Sequence, residues 1–217
     1  MVRELVTDPQ AFFKGKAQNR SVVLEVVIVL AVGGIGIIGS YYFAQRVFDL
    51  ATTGGYSNFQ ALGLVIRPLL GIVGLWIGGV FIAHFLAGLF NGRGPIRRLL
   101  KLSAWAMVPL AVGNAVRSAA VYLTYNNIQA DDVDFGFAGG FNEQAAVLRA
   151  EITNTPLMLV AMVVSILSGV AMWYLLSYAV AAAKSIDVSD ARKVAAVPAG
   201  IYILFLLNET LSSLGVL

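Results

Sequence analysis

Five long apolar runs alternate with short polar stretches along this chain. The runs are residues 22–43, 69–90, 102–125, 157–183 and 194–217. A helix rising 1.5 Å per residue needs about 20 apolar residues to cross ~30 Å of hydrocarbon. Each run meets that length, so the pattern predicts an all-α polytopic membrane bundle of five transmembrane helices, one domain over residues 1–217. Glycines and prolines inside the runs are no objection, because spanning helices carry both more readily than soluble ones. The first run follows Lys14, Lys16 and Arg20, as a signal peptide's charged start would. It is too long for a signal core of roughly 7–15 residues and reads as an uncleaved span.

The polar stretches differ in sign. Residues 1–20 carry four cations, residues 91–101 four (Arg93, Arg97, Arg98, Lys101) and residues 184–193 three. The alternate side carries Arg46, Arg67 and Arg149. Eleven cations against three predict a cytoplasmic N-terminus, an outside C-terminus and a cell-membrane location. The cluster at 93–101 would then anchor helix three beside anionic headgroups, at about 1 kcal/mol per cation. The outer loop, 126–156, is acidic. Its Asp132, Asp134 and Gly136 lack the alternating oxygen ligands of a calcium loop, so it reads as a solvated acidic loop with a short helix over 142–153.

Composition agrees. Hydrophobic residues make up 59% of 217, charged residues 12%, and the mean hydropathy is +0.80. A soluble domain carries about 25% charged residues. No cysteine is present, which excludes disulfides and thiolate chemistry. The net charge of +3 comes without a basic tail, so no nucleic-acid partner is expected.

Ahead of the first run, Asp8 suits a helix cap and Pro9 the first helical position. Phe12 and Phe13 beside Lys14 and Lys16 suit a cytoplasmic interfacial segment over 1–20, lying flat at the headgroup boundary; a structureless tail is the other reading.

The most specific stretch is Gly92–Gly113, GRGPIRRLLKLSAWAMVPLAVG. A Gly-rich basic loop, a Leu-rich helix start, an aromatic and a Val-Pro resemble the central signature of the Yip (Rab-interacting) family of five-span membrane proteins. Pro9, Phe12, Phe13, Gly92, Gly94, Arg97, Trp105 and Pro109 carry the resemblance. It implies a non-enzymatic membrane protein of the short prokaryotic form, organising membranes by binding lipids or partner proteins. Eukaryotic members act in vesicle traffic through small GTPases. This chain lacks their long hydrophilic N-terminal region and their Asp-Leu-Tyr-Gly-Pro motif, so the resemblance does not extend to GTPase binding.

Ionisable residues inside spans are the default functional candidates. Arg117 and Glu209 each lie fifteen residues, about 22 Å, into helices that run outward. They are expected to pair, with Asn114 and Asn208 as hydrogen-bond neighbours. Glu25 and His84 lie at similar inner depths on adjacent helices and could bond each other. Pro109 and Pro198 free the carbonyls of Trp105 and Val194 and predict helix kinks. Gly33, Gly36 and Gly39 in helix one, and Gly71, Gly74 and Gly78 in helix two, form small faces that let helices approach. Those faces predict packing of helices one and two on each other, with homo-oligomerisation as the alternative. The sequence has no phosphate loop, no metal-spaced histidines and no nucleophile elbow, so no catalysis and no cofactor are expected. The alternative function is a small transporter or channel using Arg117 and Glu209.

Overall fold

The computed structural model describes residues 2–17, 22–50, 58–128, 133, 141–153 and 155–213, with side chains described except at 2, 58–60 and 209–213. Most of the described residues are helical, and none of them forms a strand. Two short helices, α1 (Val2–Thr7) and α2 (Pro9–Lys16), precede α3 (Val23–Leu50) and α4 (Asn58–Leu89). Then come α5 (Ile96–Ala106), α6 (Val108–Tyr125), α7 (Phe141–Thr153), α8 (Pro156–Lys184) and α9 (Val188–Ser213). Among the described residues, three stretches are long and apolar enough to cross a membrane: Val23–Leu50, Ala61–Leu89 and Pro156–Lys184. The pair α5 and α6, bent by 41°, makes a fourth if it is one broken span.

That bend has a local cause. Pro109 has no N–H to return to the carbonyl of Trp105, so the i→i−4 ladder cannot continue. The chain bridges the gap with tighter bonds, Met107 N–H to the Ala104 carbonyl (3.2 Å) and Leu110 N–H to the Met107 carbonyl (2.9 Å). Pro198, in the same Val-Pro dipeptide, lies inside the continuous helix α9. One dipeptide therefore breaks one helix and is absorbed by another.

Five long elements close into a ring in the order α3, α4, α9, α8, α6, each packed on the next and α6 back on α3. Helix α5 packs under one end, against α8, α4 and α3, and α2 docks on α8 beside it. Helix α7 lies across the other end and touches all five ring members. It occupies Phe141–Thr153, close to the short helix expected in the acidic loop. The rest of the calcium-loop comparison, at Asp132, Asp134 and Gly136, lies outside the described residues.

The buried residues fall into two cores. One gathers α2, α5 and the adjoining ends of α3, α4, α8 and α9 around Phe13, Leu99, Leu102 and Trp105. The other sits under α7, around Val47, Val121, Phe141 and Leu148. This second core explains two differences from the hydropathy pattern. Helix α3 runs on past Phe43 to Leu50, and α4 starts at Asn58 instead of Leu69. Val47, Leu50 and Ala61 are buried in the α7 core, so tertiary packing continues the helices where the apolar run stops.

The N-terminal segment also differs from expectation. Asp8 caps α2 by accepting from Ala11 N–H at 3.0 Å, as its position suggested. Phe12 and Phe13, however, are buried in the bundle, and Phe12 meets the Trp105 ring edge-on at 5.2 Å. Both rings are thus spent on protein contacts.

Candidate functional site

The α5 end of the bundle is densely packed. Helix α4 stops at Leu89, Gly92 N–H closes on the Ala87 carbonyl at 2.8 Å, and the loop 92–95 then runs against the end of α8. There Arg93 N–H donates to the Lys184 carbonyl at 2.8 Å. Gly94 sits at φ +138°, and a Cβ there would lie 2.3 Å from the Ala183 carbonyl oxygen. Only glycine combines that dihedral with that approach. Lys184, 1% exposed, donates to the Gly94 carbonyl at 2.6 Å and meets His84 Nδ1. A buried ammonium is tolerable when its donors are taken up in this way.

His84 is thus brought to Lys184 and not to Glu25, and the expected Glu25–His84 bond is replaced by two separate contacts. Glu25 is buried and accepts from Trp105 Nε1 at 3.4 Å. Its second oxygen, Oε2, has no hydrogen-bond partner among the described residues. Lys16 stacks over the same Trp105 ring at 4.7 Å. The basic cluster is also divided. Arg93 and Arg97 are exposed, Arg98 is half-buried and Lys101 is buried, so at most part of it faces headgroups.

The α7 end is different. Between the two cores lies an open cavity of about 760 Å³. One wall is a single face of α4: Gly63, Arg67, Gly71, Gly74 and Gly78, at spacings of three and four. A Cβ added at Gly63, Gly71, Gly74 or Gly78 would meet nothing within 4 Å. These glycines border empty space, which corrects the expectation that the α4 stripe packs on α3. The α3 stripe does pack. A Cβ at Gly33 would lie 2.6 Å from Leu69, at Gly36 2.8 Å from Pro68, and at Gly39 2.8 Å from Ser118. The Ser118 hydroxyl accepts from Gly39 N–H at 3.2 Å and donates to the Ile35 carbonyl at 3.0 Å.

Helices α4 and α9 both line this space. They touch at Lys193 over Phe90 and again where Gly79 faces Pro198, 3.2 Å from an added Cβ. Nearer the α7 end, the Arg67 guanidinium stands over the Phe205 ring, 5.8 Å from its centroid. Past the Gly79–Pro198 contact, Ala83, Ala87, Leu102, Ala179 and Ala195 are wholly buried, and the lining of the cavity reaches no further along α4 than Ile82.

Three arginines line it: Arg67 from α4, Arg117 from α6 and Arg149 from α7. Arg149 also stands over the Phe43 ring at 5.3 Å. Among the described residues the lining carries no carboxylate. Arg117 was the one arginine that its position inside a span marked out. Arg67 and Arg149 lie outside the apolar runs and entered the sequence analysis only as outer-side cations, although the spacing of Arg67 with Gly63, Gly71, Gly74 and Gly78 is legible. The side chain of Glu209, its expected partner, lies outside the described residues. Asn114 bonds the Val32 carbonyl at 2.9 Å, tying α6 to α3, and Asn208 is exposed. No group of three or more histidine or acidic residues able to hold a metal occurs among the described residues.

Comparison with known proteins adds the following. The family profile described as the Yip1 domain matches residues 3–208. An uncharacterized protein of Methanocaldococcus jannaschii is 22% identical over 122 residues, which are 55% of this chain and 86% of that protein. No solved structure matches the chain.

Proposed function

The chain belongs to the Yip1-domain family of membrane proteins, and from that premise we propose that it is a non-enzymatic scaffold which binds lipids or partner membrane proteins through its helical ring. On this reading α3, α4, the broken pair α5–α6, α8 and α9 are five spans. The N-terminus is cytoplasmic, the C-terminus is outside, and the protein resides in the cell membrane. The exposed cations Lys14, Arg93, Arg97, Arg192 and Lys193 then form the inner face that meets anionic headgroups.

The cavity is the observation that carries the reading. Its size falls in the range of roughly 300–1,000 Å³ typical of sites for one small ligand. Its walls are mainly apolar with a few cations, and past Ile82 the wholly buried Ala83, Ala87 and Ala195 leave it blind at that end. A blind apolar recess supports binding over conduction.

Purified protein in liposomes, together with cross-linking in native membranes, tests this. The expected outcome is recovery of bound lipid or of a cross-linked membrane protein, with no solute or ion flux. Flux that disappears in Arg117→Ala would overturn the scaffold reading in favour of a transporter.

A further inference from the structure

We propose that the cavity between α4 and α9 is a seat for one anionic phospholipid of the surrounding membrane, its phosphate held by Arg67, Arg117 and Arg149 and an acyl chain laid along the glycine face of α4. This rests on the scaffold reading above and names the ligand class of that site.

The lining is polarised along its length. Arg67 lies nine residues into α4, and Arg117 lies eight residues before the end of α6. At 1.5 Å per residue both sit roughly 12–14 Å from the α7 end of the ring. Arg149 comes from α7 itself, which lies over that end. The three cations thus converge on one half of the recess. From Arg67 the wall continues through Gly71, Gly74 and Gly78 to the closure at Gly79 and Pro198, a further ~18 Å without a charge. A cationic head with an apolar trough behind it complements an amphiphile and matches a free inorganic anion poorly.

The missing Cβ atoms supply the width. Four glycine positions on this face have nothing within 4 Å, so the trough is cut into the α4 surface itself. The site is also open to the outside of the ring: Leu70 of α4 and Ile201 and Phe205 of α9 line it and are themselves exposed. Arginine suits the head, because its planar fork binds phosphate through two parallel hydrogen bonds.

The test uses full-length protein in nanodiscs of phosphatidylcholine with a minority of phosphatidylglycerol, read by native mass spectrometry. The wild type should retain one phosphatidylglycerol in preference to phosphatidylcholine. Replacing Arg67, Arg117 and Arg149 together by Gln should lower that retention by about tenfold or more, as expected for losing charge-assisted bonds to the head. Gly74→Leu provides a second variant that does not touch the cations. Its new side chain points into open space, so the protein should melt as the wild type does while losing the lipid. Equal retention of the two lipids would overturn the proposal, as would undiminished retention in Gly74→Leu. Displacement of the lipid by millimolar inorganic phosphate would assign the arginines to a soluble anion and overturn it too. Cross-linked protein partners without lipid selection would sink this proposal alone, whereas Arg117-dependent flux would sink the scaffold reading beneath it.

Discussion

Helices α3 and α4 each carry a stripe of glycines at helical spacing, and the two stripes do opposite work. Gly33, Gly36 and Gly39 bring α3 within touching distance of Leu69, Pro68 and Ser118. Gly71, Gly74 and Gly78 bring nothing close and border a cavity. A glycine removes a Cβ in both places. In the first the vacated volume is filled by a neighbouring helix, and in the second it is left open. The contrast extends to the ends of the bundle. The α5 end is packed around Lys184, Gly94 and Trp105, while the α7 half holds the open recess.

The largest effect should come from the packed end. Gly94→Ala forces a side chain onto φ +138° and against the Ala183 carbonyl. The loss should be on the order of 3 kcal/mol, seen as a lower melting temperature or as failure to elute as a monodisperse species in detergent. Gly39→Ala comes next. The Ser118 backbone at 2.8 Å cannot yield cheaply, so a cost of roughly 1–3 kcal/mol is expected in the same thermal assay. Gly74→Ala should change the melting temperature least, by no more than about 0.5 kcal/mol, or raise it slightly through helix propensity. If Gly74→Ala were as harmful as Gly39→Ala, the contrast between the stripes would collapse. If Gly39→Ala were as harmless as Gly74→Ala, α3 would not be held by close approach.

Much of this architecture is written in the hydropathy pattern. As far as they are described, four of the five apolar runs coincide with one long helix and the run 102–125 with the broken pair α5–α6, and the break before Pro109 follows from a missing N–H. The loop GRGP also stood out, although its reason did not. Gly94 is needed because α8 ends against it, and α8 is ninety residues away. The ionisable pairs were the least legible part. Depth along a helix can be counted from sequence, but rotation about its axis against a particular neighbour cannot. Counting places Glu25 and His84 at similar depths, but the fold turns one toward Trp105 and the other toward Lys184. Arg149 was hidden for a different reason. It lies on a helix that only the fold lays across the ring.

The amino-acid order alone determined that the chain is helical, rich in membrane-length apolar runs and basic on alternate connections. Each of these depends on composition within a window of some twenty residues. Tertiary structure decided which glycine stripe became an interface and which became a wall, and gathered three arginines from separate helices at one end of a recess. Those outcomes depend on how five helices are rotated and splayed against one another. That is a property of all the contacts together, and no single stretch of the chain contains it.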